Sequence, residues 1–359
     1  MNSYTEEELA TYQDEDSVEF PPSDIVAFNE LRSCSDLLRM YQKKKLNIQP
    51  IFQREKVWKP KEYTRFIDSL MKQLPIPSLC FSHDYKTQKW EVIDGLQRIS
   101  SIIQFLDENE WRFSKLDDVD PRISGKKAEL FQDEESELYE LYERVENLTL
   151  PITVVRCDLS KESHRNYLFT IFHRLNTGGT KLNNQEIRNC IYSGKYNSLI
   201  KKLNDDEKWV VINNISEEKV YRFATVELIL RFFAFHDNLS EYKGTLSKFL
   251  NKYLGDNINP DAEFIEDKAE LFQRVTKLII DSISVATLKS LSLTVLEALL
   301  HGLAANIDAL ENKTNEEILA AYNTLREQAE LSPESLSEGL ASKDKVIGRL
   351  TKSAEVFNL

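Results

Sequence analysis

The chain has 359 residues, of which 41% are hydrophobic and 29% charged, and its formal net charge is −13. This length suffices for two domains, and the composition is ordinary for a globular protein. No apolar run is long enough to cross a bilayer, and the acidic N-terminus lacks the basic and apolar parts of a signal peptide. The four cysteines are far apart and show no metal-binding spacing, which indicates structural thiols in a reducing compartment. We therefore expect a cytoplasmic protein with no membrane partner.

The charge is distributed unevenly along the chain. Residues 1–37 carry ten acids and one base, and residues 107–146 carry fourteen acids and six bases. By contrast, residues 38–65 carry nine bases and two acids, and residues 161–202 carry eight bases and two acids. A polyanion responds to the potential within about 8–10 Å at physiological salt, not to the total charge. The two basic segments are therefore candidates for binding nucleic acid, although an ordinary solvated surface would account for the same lysines.

The first predicted element follows a polar, acidic tail over residues 1–23 that ends in two prolines and a serine. A helix is predicted from Ile25 or Ser35 to Lys45. An extended segment or short strand is predicted over residues 47–52.

The next elements form a helix, a hairpin and a second helix. Apolar residues at helical spacing predict a helix over residues 61–74, which prolines then end. Strands over 78–83 and 90–93, joined by a polar turn, predict a hairpin. Apolar residues at Ile99, Ile102, Ile103 and Leu106 predict a helix that starts after Gly95.

The acidic segment 107–146 resembles an insertion, partly helical towards its end. Residues 150–157 (LPITVVRC) give the strongest strand signal of the chain. Helices are predicted over 162–175 and 184–193, with a turn over 176–180 between them.

From about Val220 the chain is a succession of amphipathic helices with little strand signal. The sequence therefore predicts an α+β fold, with a mixed α/β domain over residues 24–205 and an all-helical domain over residues 206–359.

The stretch IDGLQRIS, residues 93–100, combines an acid, a glycine, an amide and an arginine where a strand passes into a helix. Free backbone amides at a helix N-terminus attract anions, and glycine permits close approach to the backbone. Arg98 offers a fork suited to phosphate. Alternatively, Arg98 pairs with Asp94 four residues earlier and the arrangement is purely structural. Asp94 is accordingly either an acid directed at Mg²⁺ or the helix cap.

Two further motifs carry polar groups suited to a nucleotide. Gln53, Arg54 and Trp58 supply hydrogen bonds, a cation and a stacking face, although Trp58 would equally suit a core. Asn176-Thr177-Gly178-Gly179 could present an anion-binding nest of amides, or an ordinary helix end followed by an Asn-capped helix.

Three motifs follow one another along the chain: QRxxxW, IDGxQR and FxRxNTGGxxLxxxEIRN. This ordered set resembles the N-terminal domain family of the GmrSD-type restriction endonucleases. The resemblance extends over roughly Leu31 to Gly255. The resemblance implies a ParB/sulfiredoxin-like core that places a phosphate at a strand–loop–helix junction. It implies NTP (GTP, ATP or CTP) and Mg²⁺ as ligands, with Asp94 as the residue that holds the metal. Its implied catalytic residues are Asp94, Gln97 and Arg98. Its implied nucleotide-binding residues are Gln53, Arg54, Trp58, Gly95, Asn176, Gly178, Gly179, Glu186 and Arg188.

Two features depart from the family pattern. Leu96 stands where the family has glutamine in DGQQR, so a polar contact is lost and hydrolysis, more than binding, is placed in question. The chain also shows no nuclease motif around its five histidines, so any cleavage of DNA would fall to a partner chain.

The leading hypothesis is an NTP-binding and NTP-hydrolysing subunit that senses DNA, including modified DNA, in a restriction or antiphage system. Its expected partner is a nuclease or modification protein encoded nearby, and homo-oligomers are allowed. DNA contacts are expected at Lys43, Lys44, Lys45, Arg174 and Lys181. One alternative is a non-catalytic DNA-binding or regulatory module with a degenerate motif. Another is a stand-alone metal-dependent nuclease that uses Asp94 and Glu186.

Overall fold

The computed structural model describes residues 21–48, 58–107, 111–175, 182–213, 223–288, 291–336 and 339–359. Contacts within the chain group these residues into two compact units. The first unit ends at Lys181 and the second begins at Leu182. Each unit is described by itself. The first unit contains a mixed sheet with helices, and the described part of the second is helical, which confirms the α+β fold class. The predicted domain boundary at residues 205–206 lies within the second unit.

The first unit is built on a five-stranded sheet with the order β1-β5-β3-β4-β2. Its strands are β1 (Val26–Ser33), β2 (Leu46–Asn47), β3 (Leu79–Asp84), β4 (Lys89–Asp94) and β5 (Thr149–Cys157). Strand β5 is antiparallel to β1 and parallel to β3, whereas β2 is parallel to β4. Strands β3 and β4 are antiparallel, which confirms the predicted hairpin. The apolar sequence of β5 fits its place between two neighbours.

Six helices accompany this sheet: α1 (Cys34–Gln42), α2 (Pro60–Met71), α3 (Leu96–Asp107), α4 (Glu129–Gln132), α5 (Tyr139–Glu146) and α6 (Glu162–Leu175). The helices predicted over 61–74, after Gly95 and over 162–175 are therefore confirmed. Apolar side chains of α2 and α3, among them Ile67 and Ile102, share one buried cluster with Phe81 and Ile152 of the sheet. Burial of such side chains contributes about 1.5–3 kcal/mol each.

The prediction of a helix beginning at Ile25 was wrong, because Val26–Ser33 is strand β1. This strand lies at the edge of the sheet, so its outer residues remain exposed and its sequence shows little hydrophobic alternation. Ser33 then caps α1, since its Oγ accepts a hydrogen bond from the Asp36 amide at 3.1 Å. The helix begins at Cys34, one residue before the alternative start that the sequence indicated.

The acidic segment 107–146 contributes to the core of the first unit. Phe113, Phe131 and Val145 are buried in the same cluster as the sheet. The ring of Phe105 in α3 lies 5.7 Å from that of Phe131, in an edge-to-face arrangement. Helices α4 and α5 confirm that the segment is partly helical towards its end. Most of its charged residues are exposed at the surface, around this buried apolar cluster.

The second unit contains eleven α-helices in its described part: α7 (Asn184–Ile191), α8 (Lys195–Asn204), α9 (Glu207–Asn213), α10 (Ala224–Asn238), α11 (Leu246–Asp256), α12 (Ala262–Ser282), α13 (Val285–Leu288), α14 (Leu293–Ala305), α15 (Ile307–Leu310), α16 (Asn315–Arg326) and α17 (Lys343–Val356). Buried ion pairs join several of them. Glu297 of α14 accepts hydrogen bonds from Arg231 of α10 and from Arg349 of α17.

The described helices include none that combines the length and the apolar character needed to span a membrane. The four cysteines, Cys34, Cys80, Cys157 and Cys190, are buried and free. Burial raises the pKa of the Cys34, Cys80 and Cys157 thiols to about 12. Because the thiolate is the reactive form, these three side chains behave as small apolar groups.

Candidate functional site

At the junction between β4 and α3, the first backbone amides of the helix have no acceptor within the helix itself. Strand β4 ends at Asp94, Gly95 turns the chain with a φ of +92°, and α3 begins at Leu96. The Ile99 amide donates to the Gly95 carbonyl at 2.9 Å, which starts the hydrogen-bond pattern of the helix. The amides of Leu96, Gln97 and Arg98 precede that pattern, so they have no acceptor within the helix and can bind an anion.

Gly95 is required at this turn for two reasons. Its positive φ is unfavourable for residues with a side chain. A Cβ atom there would also lie 2.2 Å from Leu79 Cδ2 and 3.1 Å from Arg98 Nη2. The space beside Gly95 is therefore filled by the protein's own side chains.

Arg98 is anchored to the protein by three hydrogen bonds. Its Nη1 donates to the Pro77 carbonyl at 2.5 Å, and its Nη2 donates to Asp94 Oδ2 at 2.9 Å and to the Ser78 carbonyl at 3.4 Å. The side chain is only 15% exposed. Burial lowers the pKa of the guanidinium, while the Asp94 carboxylate acts in the opposite direction. Arg98 thus connects the start of α3 to the segment that leads into β3. Its ion pair with Asp94 is the structural alternative to phosphate binding that the sequence left open.

Asp94 is the more exposed partner in its ion pair with Arg98. Its side chain is 40% exposed, so one carboxylate oxygen binds Arg98 and the group still faces solvent. Carboxylate oxygens of this kind suit Mg²⁺, which usually takes one or two carboxylates and keeps several waters. The described residues contain no group of three or more His, Cys, Asp or Glu side chains placed to hold a metal ion. A metal at Asp94 would therefore need oxygens from a bound ligand and from water.

Gln97 is positioned by Tyr63, a residue that the sequence indicated only as an apolar position of α2. The Tyr63 hydroxyl donates to Gln97 Oε1 at 3.1 Å, and Trp58 packs edge-on against the Tyr63 ring at 5.9 Å. Two predicted site residues, Trp58 and Gln97, are therefore linked through one buried tyrosine. The Gln97 amide oxygen accepts this hydrogen bond, and its Nε2 group is a donor.

Leu96 packs against the hydrophobic core of the first unit and is partly buried. The position that carries glutamine in the family pattern is thus used for packing in this chain. Nothing in its side chain can hydrogen-bond a nucleotide or a water.

Glu186 and Arg188 belong to the second unit and are engaged there. Glu186 Oε2 accepts from the Asn183 amide at 2.8 Å in a capping box at the start of α7. Arg188 is 1% exposed and pairs with Glu227 at 2.7 Å. Its Nε also donates to Asn251 at 2.9 Å. These contacts stabilise the helical unit, and a role for either residue at a nucleotide stays a prediction.

Of the predicted DNA-binding residues, Lys43, Lys44, Lys45 and Arg174 are exposed. The lysines occupy the connection between α1 and β2, and Arg174 lies in the last turn of α6. Outside the described residues are Gln53, Arg54, Asn176, Gly178, Gly179 and Lys181.

Comparison with known proteins agrees with the motifs. Residues 34–193 match the family model described as the GmrSD restriction endonuclease, N-terminal domain. No curated protein and no solved structure matches the chain. The matched residues include the β4–α3 junction and extend from the start of α1 to the end of α7. Residues 34–193 of the chain are therefore similar to the N-terminal domain of the GmrSD restriction endonuclease family.

Proposed function

We propose that this protein binds and hydrolyses a nucleoside triphosphate and senses DNA in a modification-dependent restriction or antiphage system, with a separate nuclease. The match of residues 34–193 to a restriction endonuclease family supports the link to defence and to DNA. The observation that carries the nucleotide part is the β4–α3 junction, where an accessible carboxylate lies beside amides that have no acceptor within their helix.

Different groups of the junction would bind the phosphate and the metal. The amides of Leu96, Gln97 and Arg98, with the Gln97 Nε2 group, supply donors to phosphate oxygens. Asp94 would hold Mg²⁺, which neutralises phosphate charge and polarises the phosphoryl group. Because Arg98 is anchored by Pro77 and Asp94, its part is to fix the direction of the carboxylate. ATP, GTP and CTP all present the triphosphate that these groups recognise.

A separate nuclease is the part of the proposal that concerns DNA cleavage. Its five histidines lie in no metal-nuclease motif. The exposed lysines of the α1–β2 connection supply charge for phosphate contacts with DNA, which position a protein without reading sequence. A protein partner would then perform the cleavage, in response to the nucleotide state.

The decisive experiment measures phosphate release by the full chain with Asp94→Asn. ATP, GTP and CTP are each supplied with and without Mg²⁺ and duplex DNA. We expect turnover to fall by about 100-fold or more, since the isosteric amide removes the charge that holds Mg²⁺. Asp118→Asn is the matched control, because it breaks an exposed Asp–Arg pair elsewhere in the same unit. Wild-type turnover by a folded Asp94→Asn protein would refute the proposal.

A second candidate, a non-catalytic DNA-binding or regulatory module, is favoured by two observations at the same junction. Arg98 already has protein acceptors, and Leu96 is partly buried against the core. Under this alternative the wild-type protein binds NTP but releases no phosphate, and Leu96→Gln gains turnover. A wild-type protein that hydrolyses NTP would exclude it.

A further inference from the structure

Six exposed cationic side chains cluster where the β3–β4 hairpin turns, and together they form the hairpin-end patch: Lys43, Lys44, Lys45, Lys86, Lys89 and Arg156. The sheet register places them at one end of the sheet, with Lys89 on the face of Asp84 and Arg156 on the opposite face, that of His83. The Lys45 carbonyl accepts the Trp90 amide at 2.9 Å, so the three-lysine connection lies against the first residues of β4. His83 pairs with Trp90 on one side and with Arg156 on the other. Residues far apart in the sequence are thus joined at one end of the sheet.

Tyr85 holds two of these cations close to each other. The Arg156 guanidinium carbon lies 4.9 Å from the centre of the Tyr85 ring, and Lys86 Nζ lies 5.7 Å from it. Both distances are within the range of a cation–π contact. The Tyr85 hydroxyl is fixed in turn by Asp158 at 3.2 Å. The ring therefore keeps two like charges near one another, beside the Asp158 carboxylate that binds its hydroxyl.

Asp158 is the acid whose charge interacts with a cation of the patch, since Lys86 lowers its pKa in addition to the larger effect of its hydrogen bond from Ser160, but the six cations of the patch form no ion pair with a described residue. None of its six cations lies within ion-pair distance of an acid among the residues that the structure describes. The nearby acids are buried and serve local structure: Asp84 accepts from the Lys86 amide, and Asp158 accepts from Ser160. Other cations of this unit, such as Arg65 and Lys72, are paired with aspartates. The patch is therefore a local cationic surface on an acidic chain.

The patch and the candidate nucleotide site occupy opposite ends of β4. Lys89 begins the strand and Asp94 ends it, which separates them by about 17 Å at about 3.3 Å per residue. An anion bound at the patch would leave the amides of the β4–α3 junction free. Two different ligands can therefore occupy this unit at the same time.

We propose that the hairpin-end patch is the surface on which the phosphate backbone of DNA docks, apart from the nucleotide site. This inference rests on the proposed DNA-sensing function and assigns it to residues of the hairpin and of β5 as well as to the three lysines. Five of the six cations are lysines, which act as point charges and suit phosphates along a backbone better than base edges. Binding here is accordingly independent of sequence and strongly dependent on salt.

The test measures the affinity of the full chain for a duplex of mixed sequence over a range of salt concentrations. One variant carries Lys86→Gln, Lys89→Gln and Arg156→Gln. Its control carries Lys126→Gln, Lys248→Gln and Lys277→Gln, three exposed lysines elsewhere with the same total charge. Each phosphate contact contributes about 0.9 to the slope of log affinity against log salt, so the patch variant should lose about 2–3 in slope. The control should keep the wild-type slope.

Three results would overturn the inference. The first is equal loss of affinity in the patch variant and its control. The second is no binding of duplex by the wild type even at low salt. The third is displacement of the duplex by polyglutamate of equal charge as efficiently as by unlabelled duplex, which would assign the patch to an acidic protein. DNA-independent phosphate release is measured in parallel and should be unchanged in the patch variant. Its absence in the wild type would refute NTP hydrolysis while the DNA result remains decisive for the patch.

Discussion

At the scale of single residues, the β4–α3 junction combines packing with accessible polar groups. Leu79 and Arg98 fill the space beside Gly95, so the turn is rigid without any ligand. Asp94 is held by Arg98 and yet remains 40% exposed. Under the proposed function, a junction prepared in this way would bind its ligand without first ordering its own side chains, which improves affinity. The anchoring of Arg98 is thus compatible with a role in positioning Asp94.

Substitution of Gly95 tests the rigidity of this turn. Gly95→Ala should lower the free energy of unfolding by about 2–4 kcal/mol, because strain at positive φ adds to a clash with the fully buried Leu79. Urea denaturation of the full chain measures the effect. Gly339→Ala is the control, because Gly339 also has positive φ, at +59°, but its Cβ would meet only Ser342 Oγ at 4.0 Å. Equal losses in the two variants would show that packing against Leu79 has no part in the requirement.

At the scale of elements, the acidic segment 107–146 is the least expected part of the first unit. Its sequence resembles a charged insertion, yet Phe113 and Phe131 form an aromatic cluster with Phe105 of α3. Helix α3 also begins at the candidate site, so the segment supports the same helix whose first amides have no acceptor within the helix. The acidic residues then remain at the surface, where their charge is solvated.

Truncation of one aromatic ring tests whether this segment is structural. Phe131→Ala should destabilise the protein by about 3–5 kcal/mol, since a fully buried ring is replaced by a cavity. Leu130→Ala is a suitable control, because the neighbouring side chain is 46% exposed and should lose less than about 1 kcal/mol. Chemical denaturation followed by tryptophan fluorescence would distinguish the two. A loss below about 1 kcal/mol at Phe131 would mean that the segment is dispensable for folding.

At the scale of the whole molecule, stability should depend on pH through the helical unit. His301 of α14 is buried, and burial, assisted by His236, lowers its pKa to about 4, while Glu297 acts in the opposite direction. The unfolded chain, with an ordinary histidine pKa of about 6.5, therefore takes up the proton first as the pH falls. The stabilisation is complete above about pH 6.5 and is lost progressively towards pH 4. Burial raises the pKa of Glu297, but Arg231 and Arg349 together lower it below its ordinary value. Protonation of Glu297 therefore reduces the stability of the folded protein further at lower pH.

The expected change is measurable at two pH values. Between about pH 7.5 and pH 5, His301 should account for a fall of about 2 kcal/mol in the free energy of unfolding. His301→Leu removes the titrating group, so the difference between the two pH values should shrink by that amount whatever the variant's stability at neutral pH. Urea denaturation of both proteins at both pH values gives the comparison. An unchanged difference in the variant would contradict the assignment to His301.

The sequence by itself determined the fold class, the hairpin, helices α2, α3 and α6, and the resemblance to the GmrSD family over part of the chain, because each depends on local periodicity or on motifs of fixed spacing. It also identified the β4–α3 junction, since the order strand, Asp-Gly, helix is local. Tertiary structure alone decided that Val26–Ser33 is an edge strand, that the acidic segment enters the core and that Tyr63 positions Gln97. It also decided that Lys86 and Arg156 contact the same Tyr85 ring. These features depend on strand pairing and on burial between distant residues, which a one-dimensional pattern does not contain.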